Sequence, residues 1–135
     1  MFDVSRSFPA ALVFVAGPNA GNRGSAQGSM SRTCSLEAER KYRYDFFEDG
    51  VKEALRTGLD AMVAEGVDIA LLAKISCGIY AGPHKRRINN DFRRVVDEVL
   101  GETVCGSHTR GEYFERVIIP VFPGDRDAER DKFQR

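Results

Sequence analysis

The stretch that decides the fold is residues 75–83, Ile-Ser-Cys-Gly-Ile-Tyr-Ala-Gly-Pro. It follows an apolar run, residues 67–75, whose length and flanking glycines predict a strand. Pro83 suits the first turn of a helix, where its missing N–H loses no hydrogen bond. The stretch therefore predicts a strand, a glycine-punctuated loop and a helix, and in an α/β sheet ligands bind at such a strand end.

Two amphipathic helices flank this strand. The spacing of apolar residues predicts one helix over residues 36–65 and another from about 84 to 100, and Gly66 and Gly101 follow them as stop residues. The predicted core-facing residues are Phe47, Val51, Leu55, Leu59, Met62, Ile88, Phe92, Val95, Val96, Val99 and Leu100. The charged positions between them, including Glu48 and Glu53, are interpreted as solvated helix faces.

Two further apolar runs, residues 11–16 and 116–122, predict the outer strands. Pro120 cannot donate a ladder hydrogen bond, so the last strand is expected to carry a bulge or an unpaired side. The glycine-rich stretch 17–35 and residues 102–112 are read as loops. The alternation of strands and helices predicts an α/β fold spanning residues 11–122, with a lead-in at 1–10 and a charged tail at 123–135.

Composition excludes several classes of function. The 135 residues suit one domain, and 20 basic residues balance 20 acidic ones, which argues against general nucleic-acid binding. No apolar run approaches the roughly 18 residues of a membrane span, and the N-terminus lacks the pattern of a signal peptide. Three widely spaced cysteines without a CxxC pair argue against a metal site and a disulfide framework. We expect a cytoplasmic or nuclear protein without a cofactor.

Two loops are candidate sites. The loop after residue 75 leads into a helix N-terminus, which attracts anions, and Lys85, Arg86 and Arg87 follow in the first turn. A tight loop with a solvated basic surface is the alternative. The second loop, residues 17–25, lacks the GxxxxGK[ST] pattern of a phosphate-binding P-loop and is either a ligand contact or a surface loop. Cys77 with His84 could form a nucleophile and base, although a small buried cysteine is the commoner case.

The run Ile75–Pro83 resembles the diphosphate-binding loop of macrodomains, and Val13–Asn19 is similar to the family's upstream strand ending in Gly-Pro. The Gly-Pro-Asn ending and the helix sequence resemble the microbial poly(ADP-ribose) glycohydrolase-like branch. The resemblance implies a three-layer α/β/α sheet and binding of ADP-ribose or an ADP-ribosylated protein. The residues that it places at the ligand are Ser76, Cys77, Gly78, Ile79, Tyr80, Ala81, Gly82, Gly17, Pro18, Asn19 and, on the adenine side, Phe122.

The family's N-terminal half has no counterpart in this sequence. That half carries the catalytic residues of the glycohydrolases, including a Glu-Glu pair that this chain lacks. The resemblance therefore implies a sheet incomplete at its N-terminal side, either in a fragment or in a chain that completes its sheet with a partner. It leaves hydrolysis of ADP-ribose linkages open beside two alternatives: an inactive remnant or interaction domain with this fold, and an unrelated hydrolase using Cys77 and His84.

Overall fold

A computed structural model describes residues 10–20 and 36–120 of the chain. Most of the predicted lead-in, most of the glycine-rich loop, Phe122 and the charged tail lie outside these residues. The described part contains both helices and strands, in agreement with the predicted α/β class. None of the helices in the described residues combines the length and apolar character that a membrane span requires.

Both helices are close to their predicted positions. Helix α1 spans Leu36–Ala64, and Gly66 follows it with a φ of 68°, the left-handed conformation expected of a stop residue. Helix α2 spans Lys85–Leu100. Gly101 differs from the prediction in keeping a right-handed φ of −76°, because its N–H still donates to the Asp97 carbonyl at 3.0 Å.

The sheets are smaller than the sequence predicts. Strand β1 is Ile69–Leu71, and it pairs in parallel with the last strand, β4, which spans Arg116–Ile118. Within the described residues, the strands are therefore shorter than the predicted ranges 67–75 and 116–122. The prediction of a strand at 11–16 was wrong, since residues 10–20 form no ladder in the described part of the chain.

The predicted polar connector at 102–112 contains regular structure. Strands β2, Thr103–Cys105, and β3, His108–Thr109, form an antiparallel hairpin. Gly106 occupies its turn with a φ of 59°. A 3-10 helix, Arg110–Tyr113, follows directly and begins with a capping box, in which Thr109 and Glu112 bond each other's backbone.

The core lies between α1, α2 and one face of the β1–β4 sheet. The predicted stripes are confirmed, with Met62 and Leu100 packed against the core rather than fully buried. Tyr44 extends the α1 stripe by one turn, and Ala70 and Leu72 contribute from β1 and the residue after it. The fully buried large side chains are Tyr44, Phe92, Leu55, Leu59, Ile88, Val51, Val95, Val96 and Val99.

Glu48 corrects the interpretation of the carboxylates as solvated. Its side chain is buried and accepts hydrogen bonds from Arg94 of α2 at 2.6 Å and from Lys52 at 2.9 Å. Despite burial, which raises it, the pKa of Glu48 is lowered by the hydrogen bonds of these two cations. The ion pair between Glu48 of α1 and Arg94 of α2 therefore links the two helices beside the apolar core.

Candidate functional site

The predicted ligand loop begins with an unusual backbone conformation. Ser76 has a φ of 54°, a left-handed conformation that costs a non-glycine residue roughly 1 kcal/mol or more. A 3-10 helix then spans Ile79–His84, with a kink at Gly82, whose φ is 51° and ψ −125°. Because strained backbone of this kind clusters at ligand sites, the conformation of Ser76 favours a functional role for this loop.

Some backbone N–H groups of the loop donate to carbonyls within the loop or directly before it. The Cys77 N–H donates to the Lys74 carbonyl at 3.5 Å, and the Ala81 N–H donates to the Gly78 carbonyl at 3.2 Å. The side chains of Cys77 and Ala81 are buried in the core. These two predicted site residues therefore form the framework of the loop rather than its open surface.

Other residues of the loop face outward. A Cβ built on Gly78 would meet no atom within 4 Å, so the backbone there is open to a ligand. The side chains of Ile79 and Tyr80 are exposed. The loop thus presents accessible backbone at Gly78 beside an exposed aromatic ring.

Asn89, which the sequence did not single out, fixes the loop to α2. Its Nδ2 donates to the Cys77 carbonyl and to the Lys85 carbonyl, both at 2.8 Å. The only sequence signal was an amide one turn after the helix start, and that signal alone does not reveal its acceptors. Asn89 therefore belongs to the site as a positioning residue.

The structure brings the two predicted site segments together. A Cβ on Gly17 would lie 2.3 Å from Ser76 Oγ and 2.5 Å from Ile75 Cγ2. The Ala20 N–H donates to the Tyr80 carbonyl at 2.7 Å. Gly17 and Ala20 therefore lie next to the loop, and Pro18 and Asn19 lie between them in sequence.

Two glycines of α1 allow residues 15–18 to pack close to this helix. A Cβ on Gly58 would lie 3.2 Å from Val15 Cγ1, and a Cβ on Gly50 would lie 3.1 Å from Pro18 Cβ. Each glycine weakens a helix by roughly 1 kcal/mol relative to alanine. In α1 they create a shallow track along which residues 15–18 pass close to the helix.

The basic first turn of α2 is partly occupied by internal contacts. The Arg87 guanidinium stacks 3.7 Å from the centroid of the Tyr44 ring. The Tyr44 hydroxyl donates to Asp91 Oδ2 at 2.7 Å, and burial together with this bond raises the pKa of Tyr44. Lys85 and Arg86 are exposed at the same helix end, so they are the cations positioned to attract an anion.

Cys77 and His84 make their contacts with different groups and not with each other in the described contacts. The Cys77 thiol donates to the Ile75 carbonyl at 3.4 Å. The His84 ring packs 5.2 Å from the Phe47 ring and 5.6 Å from the Tyr44 ring. Burial lowers the pKa of His84, as do the charges of Arg87 and Arg43. Both groups thus have structural roles, and this geometry gives no support to the hydrolase alternative.

Comparison with known proteins adds no family assignment. The chain matches no family model, no curated protein and no solved structure. A functional proposal therefore rests on the loop geometry and on the residues that carry the resemblance.

Gly17→Ala is expected to destabilise the contact between the two segments. The new methyl would overlap Ser76 Oγ and Ile75 Cγ2, and overpacking of this kind costs about 1–3 kcal/mol. Thermal unfolding should show the loss, and amide exchange at Ala20 should accelerate as its bond to Tyr80 weakens. Gly78→Ala is the matched control, because its methyl enters open space; equal effects of both substitutions would contradict the close approach at Gly17.

Proposed function

We propose that this chain is a macrodomain-like protein that binds ADP-ribose or a related nucleoside diphosphate between Gly17–Asn19 and the Ser76–Gly82 loop. The observation that carries the proposal is the close approach of Gly17 to Ser76. Two segments that resemble the family's ligand loops, 59 residues apart in sequence (76 − 17), lie in contact. A chance resemblance of two short motifs does not require them to meet.

The chemistry of the two segments suits a diphosphate. The open backbone at Gly78 allows close approach of phosphate oxygens, and the N-terminus of α2 adds a positive dipole. Lys85 and Arg86 supply positive charge at the same end. The exposed Tyr80 ring offers a face for the distal ribose, the role that the resemblance implies.

The proposal is for binding and assigns no hydrolytic role to the described residues. Glycoside hydrolysis requires a positioned acid and base, usually carboxyl groups. The resemblance places those residues in the half of the family that has no counterpart here. The alternative function, an inactive remnant or interaction domain, predicts the same fold without ligand affinity.

Calorimetric titration of the full chain with ADP-ribose tests the proposal. We expect saturable heat, and weaker binding of AMP because it lacks the second phosphate. Gly78→Glu should abolish binding, since its carboxylate would stand where the backbone approaches the phosphates and would repel them. Gly78→Gln, nearly equal in size but neutral, should retain more affinity.

Two results would contradict the proposal. Absence of saturable heat with the folded wild-type chain would favour the remnant or interaction domain. Full affinity in Gly78→Glu would show that any nucleotide binds elsewhere. Circular dichroism of each variant confirms that the comparison is made between folded chains.

A further inference from the structure

His84 lies at the junction between the loop and α2. It is the last residue of the 3-10 helix Ile79–His84, and α2 begins at the next residue. The centroid of its half-buried ring lies 5.2 Å from that of the Phe47 ring and 5.6 Å from that of the Tyr44 ring. Phe47 and Tyr44 belong to α1 and are buried in the core. The His84 ring therefore joins the end of the loop to α1.

The surroundings of this ring favour its neutral form. Burial first, and then the charges of Arg87 on α2 and Arg43 on α1, lower the pKa of His84. The Arg87 guanidinium already lies 3.7 Å from the centroid of the Tyr44 ring. A protonated His84 would therefore bring a second cation to the same aromatic ring, at a place where burial removes part of the water that a charged imidazole needs.

The nearest carboxylates are held by other groups. Asp91 accepts the hydrogen bond of the Tyr44 hydroxyl at 2.7 Å and lies 3.5 Å from the Arg94 guanidinium. Glu48 accepts a hydrogen bond from Arg94 at 2.6 Å. Among the described residues, the charges that act on the pKa of His84 are both positive. Protonation therefore places a third cation at the junction without a carboxylate to offset it.

We propose that His84 is a pH-sensitive contact, at which uptake of a proton detaches the end of the loop from α1 while the helical core stays folded. His84 lies outside the buried cluster through which α1 and α2 pack on one another, so the detachment is confined to the junction. The detached residues include the exposed Tyr80, and the shape of the proposed ligand surface therefore changes with pH. The detachment itself needs no ligand.

Amide hydrogen exchange of the full chain, measured at about pH 7 and about pH 5 and corrected for the intrinsic effect of pH, tests this contact. The Ala81 N–H donates to the Gly78 carbonyl at 3.2 Å, and the Lys85 N–H donates to the Gly82 carbonyl, so both amides report on the junction. Once the junction opens, His84 regains its ordinary pKa of 6.5. The open form then takes up a proton more readily and is favoured as the pH falls below that value. We expect the protection of both amides to fall severalfold at the lower pH.

The chain contains two histidines, which makes matched controls available. His84→Phe keeps an aromatic ring that cannot take up a proton, and it should remove the pH dependence at the junction. His84→Gln does the same with a smaller neutral side chain. His108→Gln removes the other, exposed histidine and should leave the dependence unchanged. The Arg110 N–H, which donates to the Glu102 carbonyl at 2.9 Å, reports on the fold away from the junction and should stay protected.

Three results would overturn the pH-sensitive contact. They are constant protection of Ala81 and Lys85 in the wild-type chain, an equal fall in both His84 variants, and an equal fall at Arg110, which would indicate global unfolding. Magnetic resonance titration of the His84 ring tests the charges separately. Arg87→Gln should raise the pKa of His84 because it removes one opposing cation, and an unchanged pKa would contradict the part assigned to Arg87. These measurements use no nucleotide, so their failure leaves the binding proposal standing.

Discussion

Phe92→Ala is expected to lower the free energy of unfolding by about 3–5 kcal/mol, the usual loss for removing a buried phenyl ring. Phe92 lies in the middle of α2 and is fully buried. The core around it is drawn from α1, α2 and the small sheet, so few neighbouring groups can move in to fill the space. Since small domains have roughly 5–15 kcal/mol of total stability, the variant should lose a large part of it. Urea titration followed by circular dichroism measures the change.

Phe46→Ala supplies the comparison for this substitution. It removes the same ring from α1, but Phe46 is largely exposed. Surface substitutions usually change stability by less than about 0.5 kcal/mol. Equal midpoints for the two variants would contradict the placement of α2's apolar face in the core.

The helices were predictable because their sequence signals are local and repeated. The apolar residues of α2 recur every three to four positions, and five of them, Ile88, Phe92, Val95, Val96 and Val99, are buried. Gly66 could be assigned as a stop residue because a left-handed turn there favours glycine. Such features depend on a few neighbouring residues, which a single sequence contains in full.

The strands were predicted less well because a strand depends on its partners. Residues 11–16 have the composition of a strand, yet they pair with no described strand, and Val15 lies against Gly58 of α1 instead. Gly50 and Gly58 carried the relevant signal, since they lie eight residues apart on one helix (58 − 50). Read only as weak helix formers, they did not reveal that another segment crosses there.

The candidate site shows the same division. The close approach of Gly17 to Ser76 followed only from the resemblance, which implies that both residues contact one ligand. The role of Asn89 and the burial of Glu48 did not, because each depends on a partner that only the folded chain brings near. Glu48 and Arg94 are 46 residues apart, and no local pattern connects them.

Arg110→Met is expected to lower the free energy of unfolding by about 2–4 kcal/mol. Arg110 is only 5% exposed, and its guanidinium donates to Asp60 Oδ1, Glu102 Oε2 and the Val99 carbonyl, each at 2.7 Å. Methionine keeps much of the volume but removes the Arg110 donor from all three acceptors, and of these Glu102 still accepts hydrogen bonds from Arg56. The two carboxylates are partly exposed and can recover water, which places the loss below that of a fully buried pair.

The pH dependence of this loss identifies its electrostatic part. Arg56 first, and Arg110 after it, lower the pKa of Glu102 from 4.5 to about 2. A lowered carboxyl pKa stabilises the fold fully above the unfolded value, and that contribution disappears as the pH falls from about 4.5 towards 2. In Arg110→Met the pKa of Glu102 should be less depressed, so the stability difference from wild type should shrink over this interval. Urea titrations at several pH values down to the acid limit of folding measure it, with Glu102→Gln as the control that should flatten the dependence. Parallel profiles for wild type and Arg110→Met would mean that the arginine stabilises the fold through packing and its bond to the Val99 carbonyl, and that its bond to Glu102 adds nothing.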